Sequence, residues 1–92
     1  MFVVDTTGLG EALTITHELR AAGISADRAF DGRSMKSQMK AADRSDAEVA
    51  VIVGPDELAQ ARVTLRRLRS EADQEVVARA DLVSRVRGWL AP

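Results

Sequence analysis

Val49-Ala50-Val51-Ile52-Val53-Gly54-Pro55 lies just past the middle of the chain and decides its architecture. The run Val49 to Val53 is the strongest strand signal in the sequence. Its apolar character is unbroken, so it does not show the alternation of a strand with one wet face, and burial on both faces is expected of it. Such a strand is central in its sheet. Glu48 opens it and Gly54-Pro55 stops it.

Towards the N-terminus, the segment from Ser34 to about Arg44 has helical spacing, with Met35, Met39 and Ala42 on one face and Ser34 as N-cap. Asp31-Gly32 is a turn ahead of it, and Ile24 to Phe30 reads as a strand of mixed burial. Before that, Leu9, Ala12, Leu13, Thr16 and Leu19 recur at spacings of three and four, which predicts a helix from Leu9 to Ala22 that ends at Gly23. Phe2-Val3-Val4 is a first short strand, closed by the turn-prone Asp5-Thr6-Thr7-Gly8.

Towards the C-terminus, Pro55 to Gln60 fits one helical turn. Ala61 to Leu68 alternates, with Val63 and Leu65 facing opposite to Arg62, Thr64 and Arg66. Ser70 to Asp73 is a turn, Gln74 to Ala78 a last strand, and Asp81 a cap for a final helix striped by Leu82, Val83, Val86 and Leu90. Strand–helix–strand–helix–strand implies right-handed crossovers and a parallel core, to which the closing pair adds antiparallel strands. The expected class is α/β: a five-stranded mixed, mostly parallel sheet flanked by three helices, in one domain over residues 1–92.

A chain of 92 residues encloses a single modest core. Aromatics are only 3% of it, so Val, Leu, Ile, Ala and Met build that core. With no Cys, disulfides, thiolate metal sites and cysteine nucleophiles are excluded, and the composition fits a cytoplasmic location. No apolar run approaches the ~20 residues that span a bilayer, and the strand-like start without a basic region argues against a signal peptide.

The formal net charge is −1, but its distribution is uneven. Residues 1–31 carry five acids against Arg20 and Arg28, and residues 45–61 carry four acids and no base. Between and after them lie two basic islands: Arg33, Lys36, Lys40 and Arg44, then Arg62, Arg66, Arg67 and Arg69. Local positive field, rather than the average, matters for phosphate binding. Lys36, Lys40 and Arg44 repeat every fourth residue, a stripe that serves either as a solvated helix face or as a track for a phosphate backbone. One strand and a turn separate the islands, which are expected to meet at one end of the sheet, beyond the carboxyl ends of the parallel strands, where open α/β sheets bind ligands.

Other features weigh less. Gly8-Leu9-Gly10 lacks the third glycine of a dinucleotide loop, having Leu13 there. Asp5 has no second acid beside it and Gly54 stands where a receiver domain would place an aspartate. His17 is the sole histidine, without clustered ligands, and reads as structural or surface; Trp89 reads as a packing anchor for the last helix. Glu57, just after the buried strand, reads either as a solvated turn acid or as an acceptor placed to hydrogen-bond a splayed base.

These residues also carry a family resemblance. Arg33-Ser34-Met35-Lys36-Ser37-Gln38-Met39-Lys40-Ala41-Ala42-Asp43 resembles the R-S-(L/M)-K-x-Q-(L/M)-K-x-A-(D/N) segment of class II ligase anticodon-binding domains, and its Gln and Ala are most similar to the histidine–tRNA ligase variant. Val51 to Leu58 is similar to V-(I/V)-(I/L)-G-x-x-E-(L/V), Val63 to Leu68 to V-x-(L/V)-(R/K)-(D/N)-L, and Leu19 to Ile24 to L-R-x-x-G-I. The likeness runs in order along nearly the whole chain. It departs at Arg67, where an acid or Asn is common, at Asp46, where Gly is frequent, and at Ser70 to Gln74, in place of a Gly-Glu-Gln turn.

The resemblance implies a C-terminal domain that holds the anticodon loop of tRNA(His) while a separate catalytic domain, using ATP and Mg, attaches histidine. The partners implied are the tRNA, that catalytic domain and, at full length, a second copy in a homodimer, with no membrane. The fragment itself would be non-catalytic and hold no cofactor or metal. Carried over by position, Glu57 would accept from base N–H groups and Arg66 donate to base or phosphate oxygens. Lys40 and the Asp31-Gly32-Arg33 turn would line the same pocket, and Arg33, Lys36 and Arg44 would hold phosphates. The alternative is a ligase-derived regulatory module that binds RNA or dimerises; a small-ligand α/β domain would require a phosphate loop that is missing.

Overall fold

The computed structural model of the chain describes residues 1–7, 10–28, 34–45, 47–68 and 74–90. The elements run β1 (Phe2–Asp5), α1 (Glu11–Ala21), β2 (Asp27–Arg28), α2 (Met35–Arg44), β3 (Val49–Val53), α3 (Pro55–Ala59), β4 (Arg62–Arg67), β5 (Gln74–Ala78) and α4 (Leu82–Leu90). The strands form one sheet in the order β2-β1-β3-β4-β5. β1 pairs parallel with β2 and β3, while β3–β4 and β4–β5 are antiparallel. The sheet is therefore evenly mixed rather than mostly parallel, because the strand after β3 returns through the one-turn α3 instead of a crossover helix. That turn is a fourth helix beside the three expected.

All five residues of β3 are buried, and alternation divides them between two cores. Val51 and Val53 join Val3, Val63, Leu65 and Val77 against Ile15 and Leu19 of α1 and Leu82 and Val86 of α4. Ala50 and Ile52 join Phe2 and Val4 against Ala42 of α2, with Met39 and Ala41 packed alongside. The crossover β1–α1–β2 and the crossover β2–α2–β3 run in opposite directions across the sheet and put their helices on opposite faces, as a single hand of crossover requires.

The helices depart from the expected stripes in instructive ways. α1 begins at Glu11, so its inner face is Ile15, Thr16 and Leu19, while Leu13 is 58% exposed; Leu9 lies outside the described residues. Gly23, at φ +81°, ends α1 as expected. The Ile24 amide donates to the Leu19 carbonyl (2.9 Å) and the Gly23 amide to that of Arg20 (3.0 Å), the double closure that a left-handed residue permits. In α2 Ser34 caps the helix, accepting from the Ser37 amide at 3.3 Å. Its inner face is Gln38 and Ala42 with Met39, and Met35 points out. Asp81 ends a 3₁₀ turn, Arg79–Asp81, that runs directly into α4. There Trp89 packs on the core and Leu90 is exposed.

Arginines tie the α1/α4 side together. Arg79 pairs with Glu18 of α1 at 2.6 Å, and Arg87 donates to the Ala22 carbonyl at the end of α1 (3.0 Å). Arg67 lies over the Trp89 ring, 4.8 Å from its centroid, and donates to the Trp89 carbonyl (3.2 Å). The residue that departs from the family pattern is thus occupied in anchoring α4. Among the described residues, no helix is long and apolar enough to cross a membrane.

Candidate nucleic-acid interface

One face of the sheet is only half covered. α2 packs over β1 and β3, and among the described residues no helix packs on that face of β4 and β5. Register decides what stands there. Ala50, which faces α2, pairs with Arg66, and Ile52 with Thr64; Arg66 and Thr64 in turn pair with Gln74 and Val76. Arg62, Thr64, Arg66, Gln74, Val76 and Ala78 therefore share the α2 side of the sheet. All but Thr64 are exposed, and Val76 is an apolar residue with 53% of its surface in solvent.

Glu57 reaches the same face. Gly54 continues the Ala50–Ile52 alternation, and a Cβ placed on it would lie 3.2 Å from Glu57 Oε2 and 3.3 Å from Thr6 Oγ1. The Glu57 carboxylate thus sits over Gly54 at the carboxyl ends of β1 and β3. Pro55 makes this possible locally: it starts α3, and Glu57, in that helix's first turn, is turned back over the strand end. Asp5 nearby is engaged elsewhere, its carboxylate accepting from the Thr7 amide (2.8 Å) and hydroxyl (2.6 Å) and from the Ala12 amide (3.1 Å) at the start of α1.

The basic residues of α2, Lys36, Lys40 and Arg44, are exposed along the helix that walls this open half-sheet. α2 covers the side of the sheet to which Arg66 points, and its three basic residues lie on the helix's outer side, away from buried Gln38 and Ala42. The expectation of a meeting at one end is corrected by β4. Running antiparallel to β3, it carries Arg66 back to the level of Ala50, whereas Glu57 stands beyond Val53. Arg67 faces the opposite side, and Arg69, like Asp31, Gly32 and Arg33, lies outside the described residues. His17 is exposed on α1, away from this face.

Sequence reasoning missed Gln38. This side chain is 3% exposed and grips the end of β1: its Oε1 accepts from the Asp5 amide (2.9 Å) and its Nε2 donates to the Asp5 carbonyl (2.8 Å). An amide presents one donor and one acceptor, as a neighbouring strand would. It fastens α2 to β1 and so fixes the helix that carries the basic stripe. The signal was present as a polar residue between Met35 and Met39 on the inward side of an amphipathic helix.

Among the described residues, this sheet face carries Arg62 and Arg66 with Glu57 at its end, beside a helix with a basic stripe, which makes it the candidate surface for an anionic chain. The chain belongs to the family described as the anticodon binding domain, whose sequence model matches residues 3–89. Its relatives include the histidine–tRNA ligases of Laribacter hongkongensis, 42% identical over 87% of this chain and 19% of that protein, and of Solidesulfovibrio magneticus, 39% identical over 98% and 21%. The histidyl-tRNA synthetase of a Nostoc species superposes with a TM-score of 0.83 at 30% identity, over 98% of this chain and 22% of the other. The RNA-binding domain of threonyl-tRNA synthetase from Cryptosporidium parvum has the same fold, with a TM-score of 0.83 at 16% identity. The chain spans about a fifth of the length of the curated relatives it matches.

Proposed function

We propose that this domain holds the anticodon loop of tRNA(His) for a histidine–tRNA ligase, whose catalytic domain, supplied with ATP and Mg, charges the distant 3′ end. What supports the reading is that Glu57 and Arg66 stand on one side of the sheet, the side that α2, the helix bearing Lys36, Lys40 and Arg44, also covers. Anticodon bases are single-stranded and can be splayed, so their edges are open to side chains on such a face. Glu57 accepts from base N–H groups, and Arg66 donates to base or phosphate oxygens. Carried over from the family resemblance, Lys40, Gly32 and Arg33 belong to the same site, and Arg33, Lys36 and Arg44 position the backbone. The relatives named here are ligases, which favours this reading over a derived regulatory module. Partnership with the catalytic domain, a homodimer at full length and a cytoplasmic location follow from the same reading.

The test uses the full-length ligase carrying Glu57→Gln. Losing one direct base contact costs about 1–3 kcal/mol, roughly 5- to 150-fold in charging. Histidine adenylate formation, which needs no tRNA, is expected to stay at the parent rate. Equal losses in both reactions would sink the assignment.

A further inference from the structure

The strip between the two base-reading residues has an occupant of its own. Extending the β3–β4 register two residues past Ile52–Thr64 sets Arg62 level with Gly54, under the Glu57 carboxylate's end of the sheet. Arg66 lies four residues further along β4, ~13 Å away at strand rise. The cation level with the Glu57 end of the sheet is therefore Arg62, with Arg66 further along the strand. Between them the floor is neutral: Thr64 on β4, Val76 and Ala78 on β5.

The charges on this strip are arranged for an anion. Among the described residues, neither the Arg62 nor the Arg66 side chain has an ion-pair or hydrogen-bond partner. The one acid in β4 and β5, Glu75, pairs in register with Leu65 and so faces the opposite side, where it meets Arg85 at 3.6 Å. An exposed strand pair usually offsets its cations with acids across the strands; on the β5 side none stands opposite either arginine, since Arg62 faces Ala78 and Arg66 faces Gln74, and the acid on the β3 side is Glu57, over Gly54 level with Arg62.

Resting on the anticodon reading above, we propose that Arg62 is a phosphate-binding residue of the site, and that Arg62, Thr64, Arg66 and Val76 form the floor along which the loop's single strand lies. Arg62 holds the backbone beside the nucleotide whose base meets Glu57, and Val76 gives an apolar ground to a base or ribose. A contact to phosphate positions the RNA without reading its sequence.

The test compares Arg62→Gln, Arg62→Lys, Val76→Glu, Glu57→Gln and Arg66→Gln in the full-length ligase, titrated with a tRNA(His) transcript and with anticodon-substituted transcripts at several salt concentrations. Arg62 and Val76 are exposed, so these variants are expected to unfold with the parent, which a thermal melt verifies. Arg62→Gln is expected to reduce the log–log salt slope by about 0.7, the share of one phosphate on a single strand, and to weaken every transcript by the same factor. Arg62→Lys restores the slope, and Val76→Glu weakens all transcripts. If Arg62→Gln keeps the parent's slope and affinity while Glu57→Gln and Arg66→Gln lose binding, the inference is overturned and the anticodon reading stands. If none of the five loses binding, both fall. If Arg62→Gln or Val76→Glu alters the sedimentation of the ligase and leaves RNA affinity intact, the strip is a protein contact and the inference is again overturned.

Discussion

Gly54 has an ordinary extended backbone, φ −109°, so its value to the domain is not conformational freedom. It is the space that a missing Cβ leaves beneath the Glu57 carboxylate and beside the Thr6 hydroxyl. Gly54→Ala would bring a methyl to 3.2 Å from Glu57 Oε2, and the free end of that side chain is what yields. The expected outcome is a stability change within about 1 kcal/mol, since cavity filling and reduced chain entropy offset the crowding. Charging by the full-length ligase should fall severalfold, because the carboxylate no longer holds its place. A denaturant titration and a charging assay check the two halves; unchanged charging would mean that the placement of Glu57 over this glycine is immaterial. At this scale the position after a buried strand makes Glu57 a candidate. Alternation sets Arg66 opposite Val63 and Leu65, as the register has it; the RNA role of Arg66 comes from the family resemblance and belongs to the proposal. The sequence could not reveal that Arg67, next in the chain, turns to Trp89, since that contact joins β4 to a helix twenty-two residues later.

At the scale of the element, α2 is where periodicity was most and least informative. Its charged stripe and Ser34 cap follow from spacing of three and four, which also puts Met35, Met39 and Ala42 inward; Met39 and Ala42 are, but in place of Met35 the helix turns Gln38 towards β1. Apolar periodicity ranks residues by hydropathy and so passes over a buried amide whose polarity is satisfied by backbone. For the same reason Leu13, counted into the stripe of α1, is left exposed while Ile15 is buried. Gln38→Met tests what the amide does. It preserves bulk but leaves the Asp5 amide and carbonyl without their partner, at about 1–3 kcal/mol for each buried group left unsatisfied. The unfolding midpoint of the isolated domain should drop accordingly. Hydrogen exchange at Asp5 should also quicken relative to Val51. A midpoint equal to the parent's would show that water replaces the amide without cost, and that α2 is held by Ala42 and Met39 alone.

For the whole molecule, the five apolar residues of β3 determine more than their own strand. Alternation assigns Val51 and Val53 to the core under α1 and α4, and Ala50 and Ile52 to the core under α2, so the two clusters share one backbone. The class and strand count were legible because this run has no polar side to offer solvent. The balance of parallel to antiparallel pairing was not, since it depends on α3 being too short to carry the chain back over the sheet. A lesson about cooperativity follows, and Val51→Asp tests it. Val51 has 0% exposure and packs among Val, Ile and Leu. Burying a carboxylate there costs several kcal/mol, comparable with the 5–15 kcal/mol that typically holds a domain together. Because β3 belongs to both cores, the damage should not stay on the α1/α4 side. Amide protection in α2, on the opposite face, should be lost together with that in α1, and the domain should show no cooperative thermal transition. Retained protection in α2 alone would mean that the two faces unfold as separate units, and that the basic helix is anchored to β1 through Gln38 independently of the larger core.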